Sequence, residues 1–213
     1  MVKSLADLID IDEPAIEFIR KWIESTENDC VILPPSSERE SIILEMQVTT
    51  HSTMGSVAYE TGGILIDHGW LRFLGSGHFH LRRTLSGWNQ GRSNGFYLIA
   101  DDVVGGFFAI NGGALGEERG NVYYLPPDSL EWESLKLGYT DFFQWALTDR
   151  LAEFYSELRW PKWMEDVAAI DGDQCFSFYP FLWASSGSVQ GSHRRAVPTI
   201  ESFDFKMDML LQL

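Results

Sequence analysis

The sequence predicts an α+β protein whose centre is a meander of antiparallel strands. Segments 96–100, 106–111 and 121–125 are rich in aromatic or β-branched residues and are bounded by Asp, Asn, Gly or Pro, which is typical of strands joined by turns. Their connections are too short for the crossovers that parallel strands require. Helical spacing of apolar residues occurs instead over 16–23 and 140–158. We therefore expect the three strands to be adjacent and antiparallel, with helices before and after them.

The region before the meander begins with helical signals. Apolar residues at helical spacing predict a first helix over 16–28. Ser37 and Glu40 have the spacing of a capping box, which predicts a second helix over about 38–47. The polar and β-branched segment 48–54 is expected to be a connector or a short strand.

The signals change towards strands as the meander approaches. Residues 55–60 are compatible with a brief helix that two glycines terminate. Segments 64–66 and 70–74 flank Asp-His-Gly, so they form a hairpin or two strands of one sheet. We expect 75–94 to be a loop that contains at most a short helix around 84–88.

After the meander the sequence predicts mainly helix and irregular chain. Segment 128–135 is a candidate further strand. Thr140 is expected to cap an amphipathic helix that continues to Leu158. The remainder is punctuated by Gly, Ser and Pro, and its apolar islands 175–183 and 203–213 should pack onto the domain.

The composition fits one domain with a sizeable core. The chain has 213 residues, of which 45% are hydrophobic, and this supports a single domain rather than two. Eight Trp and fourteen Phe provide bulky core anchors and leave aromatic surface for a partner.

The charge balance is strongly acidic, with a formal net charge of −15. Such a field repels phosphate backbones and anionic lipid surfaces, which disfavours binding to nucleic acid or to a membrane. It favours a basic protein partner, although solubility alone explains the same charge.

The cysteines and the N-terminal segment indicate the cellular compartment of the protein. Cys30 and Cys175 are far apart and outside any CxxC pattern, so neither a disulfide framework nor a thiolate zinc site is indicated. The N-terminal segment contains acidic residues where a signal peptide needs an apolar region, and no later run has membrane-spanning length. We expect a cytoplasmic protein.

His78 and His80 are the residues with ligand-like spacing. Two positions apart on a strand, their imidazoles could bind one metal ion. No third ligand is identifiable, and two histidines beside Arg82 and Arg83 are also typical of an exposed polar loop. The sequence therefore predicts no resident metal.

Other catalytic and cofactor patterns are incomplete. Asp67, His68 and Ser76 contain the residue types of a catalytic triad, but no GxSxG elbow accompanies them. The GSG at 75–77 lacks the third glycine of a dinucleotide loop, since His80 occupies that position. We assign no catalytic residue and no cofactor.

Four carboxylates flank the turns of the meander: Asp101, Asp102, Glu117 and Glu118. Together they could form an acidic lip that holds a hard cation or meets a basic protein. The alternative is turn capping, because carboxylates next to glycines usually accept local backbone N–H groups. We take these four as the candidate binding residues.

The order of motifs resembles that of the SUKH superfamily. After the Gly62-Gly63 turn come WLRFLG, then FYLIADDVVGGFFAING, then GNVYYL, and then a helix that begins YTDFFQWAL. The resemblance covers 54–158 as a core, with a helical N-terminal part at 1–53 and a C-terminal extension at 159–213. It implies a curved, mainly antiparallel sheet with helices packed on one side, used as a protein-binding module, often in immunity proteins that neutralise toxins.

Longer phrases resemble a bacterial family of uncharacterised proteins, known as a domain of unknown function, over most of the chain. They are QVTTHSTMGSVAYETGGILIDHGWLRFLGSG, WNQGR, GGFFAINGGALGE and CFSFYPFLW.

Two function classes follow from these observations. The first is a non-enzymatic protein-binding module, which the resemblance and the acidic charge favour, and for which the resemblance implies an immunity type. The second is an enzyme that acts on a small polar substrate through a His and a carboxylate, from the 75–94 loop or from Asp67-His68. A pocket with convergent polar groups would favour the enzyme, and a closed core with an aromatic-bearing acidic face would favour the binding module.

Overall fold

The computed structural model describes residues 2–212 and has an α+β fold around a seven-stranded sheet. The order of strands in the sheet equals their order in the chain, and each neighbouring pair is antiparallel. The strands are β1 (Cys30–Leu33), β2 (Gly63–Ile66), β3 (Leu71–Leu74), β4 (Phe96–Asp102), β5 (Phe107–Asn111), β6 (Val122–Leu125) and β7 (Glu133–Ser134). The predicted fold class and the predicted meander of β4, β5 and β6 are confirmed.

The strand pairing decides the two predictions for segments 64–74 and 128–135. β2 and β3 form a hairpin in which Ile64 is opposite Phe73. Asp67 and His68 make its turn with φ of 55° and 59°, the left-handed conformation that a tight hairpin turn requires. Segment 128–135 contributes only the two residues of β7, which pair with β6.

Most helices are short. They are α1 (Leu5–Leu8), α2 (Ile16–Glu24), α3 (Arg39–Met46), α4 (Thr53–Glu60), α5 (Leu85–Asn89), α6 (Tyr139–Ala146), α7 (Arg150–Phe154), a 3₁₀ turn (Ser156–Leu158), α8 (Trp163–Ala168) and α9 (Thr199–Leu210). The predicted helices in the N-terminal part correspond to α2, α3 and α4, and α5 is the short helix within 75–94. Within residues 2–212, none of the helices combines the length and the apolar character needed to cross a bilayer.

One face of the sheet packs against α6. The ring of Phe142 lies 5.2 Å from that of Phe73 and 4.8 Å from that of Phe108, and Phe143 lies 5.0 Å from Phe73. Phe73 and Phe108 are fully buried, and they share this face because β3, β4 and β5 place both opposite Ala100. Burial of these rings fixes α6 across the sheet.

The other face is covered by the C-terminal part of the chain. Strands β8 (Gln174–Tyr179) and β9 (His193–Pro198) form an antiparallel hairpin that leads directly into α9. Phe203 of α9 packs at 4.9 Å on Phe107, which points to the opposite side from Phe108. The apolar islands predicted in the tail are thus a hairpin and a helix, and they bury a face of the central sheet.

The single helix predicted over 140–158 is wrong. The chain forms α6, α7 and a 3₁₀ turn instead, because polar side chains after α2 bind the carbonyls between them. Thr26 Oγ1 donates to the carbonyl of Leu147 at 2.5 Å, and Asn28 Nδ2 donates to those of Ala146 and Thr148, both at 3.2 Å. These bonds replace the helical bonds that would continue α6.

The predicted helix cap is also wrong. Gly138 occupies the N-cap position of α6, so Thr140 lies within the first turn. Its hydroxyl is hydrogen-bonded to that of Thr53 in α4 at 3.0 Å, which ties the two helices together.

Candidate functional site

The four carboxylates predicted to form an acidic lip do not share a surface. Asp101 and Asp102 are fully buried at the end of β4, whereas Glu117 and Glu118 are exposed in the loop between β5 and β6. The two pairs lie at opposite ends of β5, since the β4–β5 turn precedes that strand and the long loop follows it. The expectation of one exposed lip is therefore corrected, because ion pairs and hydrogen bonds hold the aspartates inside.

Asp101 lies between two guanidinium groups. Arg72 Nη2 is 2.5 Å from Oδ1, and Arg83 contacts both carboxylate oxygens. Arg83 Nε also donates to Asp173 Oδ1 at 3.0 Å, and Arg72 Nη1 donates to the carbonyl of Gln174 at 2.5 Å. This network joins the sheet, the 75–94 loop and the start of β8, so it is the charge cluster that attaches the C-terminal extension.

Asp102 has a different environment, because adjacent strand residues point to opposite faces. Its Oδ1 accepts the backbone N–H groups of Val104 at 3.1 Å and Gly106 at 2.7 Å, which is the turn-capping role kept as an alternative. Its Oδ2 accepts the hydroxyls of Tyr124 at 2.7 Å and Tyr155 at 3.0 Å. Burial raises the pKa of this carboxyl.

Lys206 is a buried amine that the sequence reasoning did not single out. It lies on α9 with 2% of its surface exposed, and its Nζ donates to the carbonyl of Pro126. Burial lowers the pKa of this amine to about 7. The sequence contained a sign of this burial. Lys206 follows Phe203 by three positions, so it lies on the same apolar face of the helix as Met207 and Leu210.

Lys206 belongs to the wall of a surface pocket with a volume of about 320 Å³. The β8–β9 hairpin, the 181–183 loop and the first turns of α9 form most of it, and the β4–β5 turn closes one side. Its lining residues are Val104, Gly105, Pro127, Phe176, Ser177, Phe178, Phe181, Leu182, Trp183, Arg195, Val197, Glu201, Ser202, Phe205 and Lys206.

Aromatic rings dominate this pocket, which we call the aromatic pocket. Phe181 and Trp183 are stacked, with centroids 4.6 Å apart and planes at 6°. Phe205 lies 5.1 Å from Phe181. Arg195 and Glu201 add one charge of each sign. A flat apolar group with a polar neighbour would fit such walls.

A smaller cleft of about 250 Å³ brings two predicted histidines to one place. His68 from the β2–β3 turn and His80 from the 75–94 loop line it together with Asp171. His68 Nδ1 also lies 3.7 Å from Asp29. The cleft therefore collects imidazoles and a carboxylate from three separate segments.

His78 and His80 have ring centroids 5.5 Å apart. The ring of Phe79 lies 4.2 Å from that of His78 and 3.8 Å from that of His80, tilted by 43° and 42°. Over residues 2–212, no group of three or more His, Cys, Asp or Glu side chains is arranged to hold a metal ion. His78 is half-buried, and His80 and Phe79 are exposed on the loop.

The residues with triad chemistry are engaged elsewhere. Ser76 is buried and donates its hydroxyl to the carbonyl of Thr61 at 2.7 Å, while accepting the N–H of Ser36 at 3.0 Å. The Asp67 carboxylate is ion-paired with Arg159. Ser76 and Asp67 are thus structural.

Comparison with known proteins places this chain among bacterial sequences. A family profile described as "Protein of unknown function DUF2625" matches residues 5–202. A putative uncharacterized protein, YbfG of Escherichia coli (strain K12), is 40% identical over 212 residues, which cover 98% of this chain and 97% of the relative. An uncharacterized protein of Haemophilus influenzae is 42% identical over 189 residues, which cover 85% and 83% of the two chains.

Proposed function

The chain belongs to the DUF2625 family, and we propose that it is a non-enzymatic binding module for a basic protein, with the aromatic pocket as its anchor site. The proposal includes an immunity-like role, which the SUKH resemblance implies. It also includes a single domain and a cytoplasmic location, which we expect from the sequence itself.

The observation that carries this proposal is the stacked aromatic wall at the surface. Rigid rings that line a pocket accept an apolar anchor of a partner, and such anchors supply most of the binding energy in protein interfaces. Arg195 and Glu201 in the wall orient the polar groups around that anchor.

The charge distribution supports a basic partner. Among residues 2–212 the buried carboxylates are Asp101 and Asp102. The net charge of −15 therefore lies mainly on carboxylates nearer the surface, such as Glu117 and Glu118. An acidic surface attracts a basic protein before the two proteins touch, and this attraction raises the association rate.

The test is capture of a partner from the native host by the full chain and by Trp183→Ala. We expect one protein that wild type retains and that Trp183→Ala binds about 30-fold more weakly, the loss typical of a hot-spot residue. Phe18→Ala is the matched control, because Phe18 is 53% exposed on α2 and should not alter binding. Equal capture by all three proteins would contradict the proposal.

The cleft of His68, His80 and Asp171 favours a second candidate function, an enzyme that acts on a small polar substrate. A histidine and a carboxylate can transfer a proton to or from a substrate bound between them. A metabolite screen tests this idea, with His68→Gln and His80→Gln as the variants. Turnover that both variants abolish, together with no captured protein, would replace the binding module with the enzyme.

A further inference from the structure

We propose that Lys206 is a carbonyl-binding amine, and that the aromatic pocket captures a small aromatic aldehyde or ketone as a reversible imine on its Nζ. This inference goes beyond the proposed binding of a protein and depends only on the pocket and its lysine.

The geometry places the amine against the pocket. Nζ lies 5.8 Å from the ring centroid of Trp183, which lines the same cavity as Lys206 itself. Its donation to the Pro126 carbonyl fixes the side chain beside Pro127, another lining residue. A pocket of about 320 Å³ is at the lower end of the range for ligand sites, which suits one aromatic ring and its carbonyl group.

The chemistry of the amine fits this role. A protonated lysine has no lone pair and cannot attack a carbonyl carbon, so a desolvated lysine in an apolar pocket is the usual imine-forming residue. Burial lowers the pKa of Lys206 to about 7, although the nearby acidic groups of Asp102, Cys175 and Asp128 act to raise it. Arg195 and Glu201, which carry opposite charges, line the same pocket. Much of the amine is therefore neutral near pH 7.

The reaction balances without an oxidant or a reductant. The Nζ lone pair forms a bond to the carbonyl carbon while the carbonyl π electrons move to oxygen. A proton passes from nitrogen to that oxygen, which gives a carbinolamine. The hydroxyl then leaves with a second nitrogen proton as water, and a C=N bond remains. Hydrolysis reverses each step, so the bound carbonyl compound is released unchanged.

The other lysines provide an internal comparison. The side chain of Lys162 is 74% exposed, whereas Lys206 is 2% exposed. A general amine reagent would therefore favour Lys206 only if its lone pair is free and the pocket admits the reagent.

The experiment is reductive trapping on the full chain at neutral pH, with benzaldehyde as probe and cyanoborohydride to reduce the imine. Intact mass and peptide mapping locate the adduct. We expect one benzyl group on Lys206, formed at least about tenfold faster than on Lys162, because burial lowers the pKa of the Lys206 amine and a neutral amine is the nucleophile. Lys206→Arg should lose this adduct, and Trp183→Ala should slow it for benzaldehyde but not for acetaldehyde, which needs no aromatic wall.

Labelling of exposed lysines alone would overturn the proposal and leave Lys206 as a structural donor to Pro126. Mapping on the unmodified chain gives this answer even if Lys206→Arg fails to fold. A positive result does not require a protein partner, so the pulldown with Trp183→Ala and the trapping experiment fail or succeed separately.

Discussion

Asp101 and Asp102 show how one peptide bond separates two unlike environments. Both are buried, but the strand directs Asp101 towards two arginines and Asp102 towards two tyrosines. A carboxylate between guanidinium groups is stabilised in its charged form, whereas one beside neutral phenols is penalised by desolvation. The first aspartate is therefore an ionic attachment point and the second a hydrogen-bonded turn cap.

Asp101→Asn should destabilise the fold strongly. The substitution keeps the shape but leaves Arg72 and Arg83 without their shared buried counter-charge, a change that typically costs about 3–5 kcal/mol. Glu117→Gln is the matched control, and its exposed site should shift the free energy of unfolding by less than about 0.5 kcal/mol. Urea denaturation followed by tryptophan fluorescence measures both. Similar midpoints for the two variants would show that the buried network is not a stabilising attachment.

Lys206→Met should remove a pH dependence of stability. The folded pKa of about 7 lies below the ordinary value of 10.5, so between these values the unfolded chain binds a proton that the folded chain lacks. The free energy of unfolding of wild type then rises with pH, by up to about 1.4 kcal/mol per pH unit. Comparison with Lys206→Met from pH 7 to about 8.5 isolates this slope before most cysteines and tyrosines titrate. Parallel curves for the two proteins would refute it.

At the scale of elements, α9 has a buried and an exposed aromatic face. Phe203 is 1% exposed and packs on Phe107, while Phe205 is 39% exposed in the aromatic pocket. Phe203→Ala should cost about 3–5 kcal/mol because it leaves a cavity against the sheet. Phe205→Ala should cost far less and should weaken pocket binding instead. Denaturation midpoints and limited proteolysis of the C-terminal extension check this, and equal losses would mean that α9 is not docked through Phe203.

The contrast between central and terminal elements explains what could be predicted from sequence. The meander was predictable because alternating apolar residues and Gly-containing turns are local signals. The break between α6 and α7 was not, because the groups that bind its carbonyls, Thr26 and Asn28, are about 120 residues away. The β8–β9 hairpin was seen only as an apolar island, since a long irregular loop separates its strands.

The candidate site follows the same logic. Asp101 and Asp102 were singled out by their place beside glycines, but their burial depends on distant parts of the chain. The segment from residue 172 onward binds the two arginines that pair with Asp101, and Tyr124 and Tyr155 cover Asp102. A lone Arg72 in the apolar strand WLRFL was the available sign of a buried counter-charge. The aromatic pocket needs three distant segments, so no spacing rule could locate it.

At the scale of the whole molecule, we expect the exposed carboxylates to affect the association rate of a partner and the pocket to affect its dissociation rate. Glu117 and Glu118 lie beyond the far end of β5 from Gly105, which lines the pocket, so about 15 Å of strand separates them from it. Charges at that distance influence how often a basic partner arrives, whereas ring contacts in the pocket influence how long it stays.

The association rate of a captured basic partner should therefore fall as salt rises, because the screening length shrinks from about 30 Å at 0.01 M to about 10 Å at 0.1 M. The double variant Glu117→Gln, Glu118→Gln should slow association at the lower salt, match wild type at the higher salt, and leave dissociation unchanged. Trp183→Ala should show the opposite pattern, with faster dissociation at both salt concentrations. Association and dissociation rates, measured at the two ionic strengths with one protein immobilised on a sensor surface, separate these effects. An association rate independent of salt would exclude electrostatic steering, and the acidic surface would then serve solubility alone.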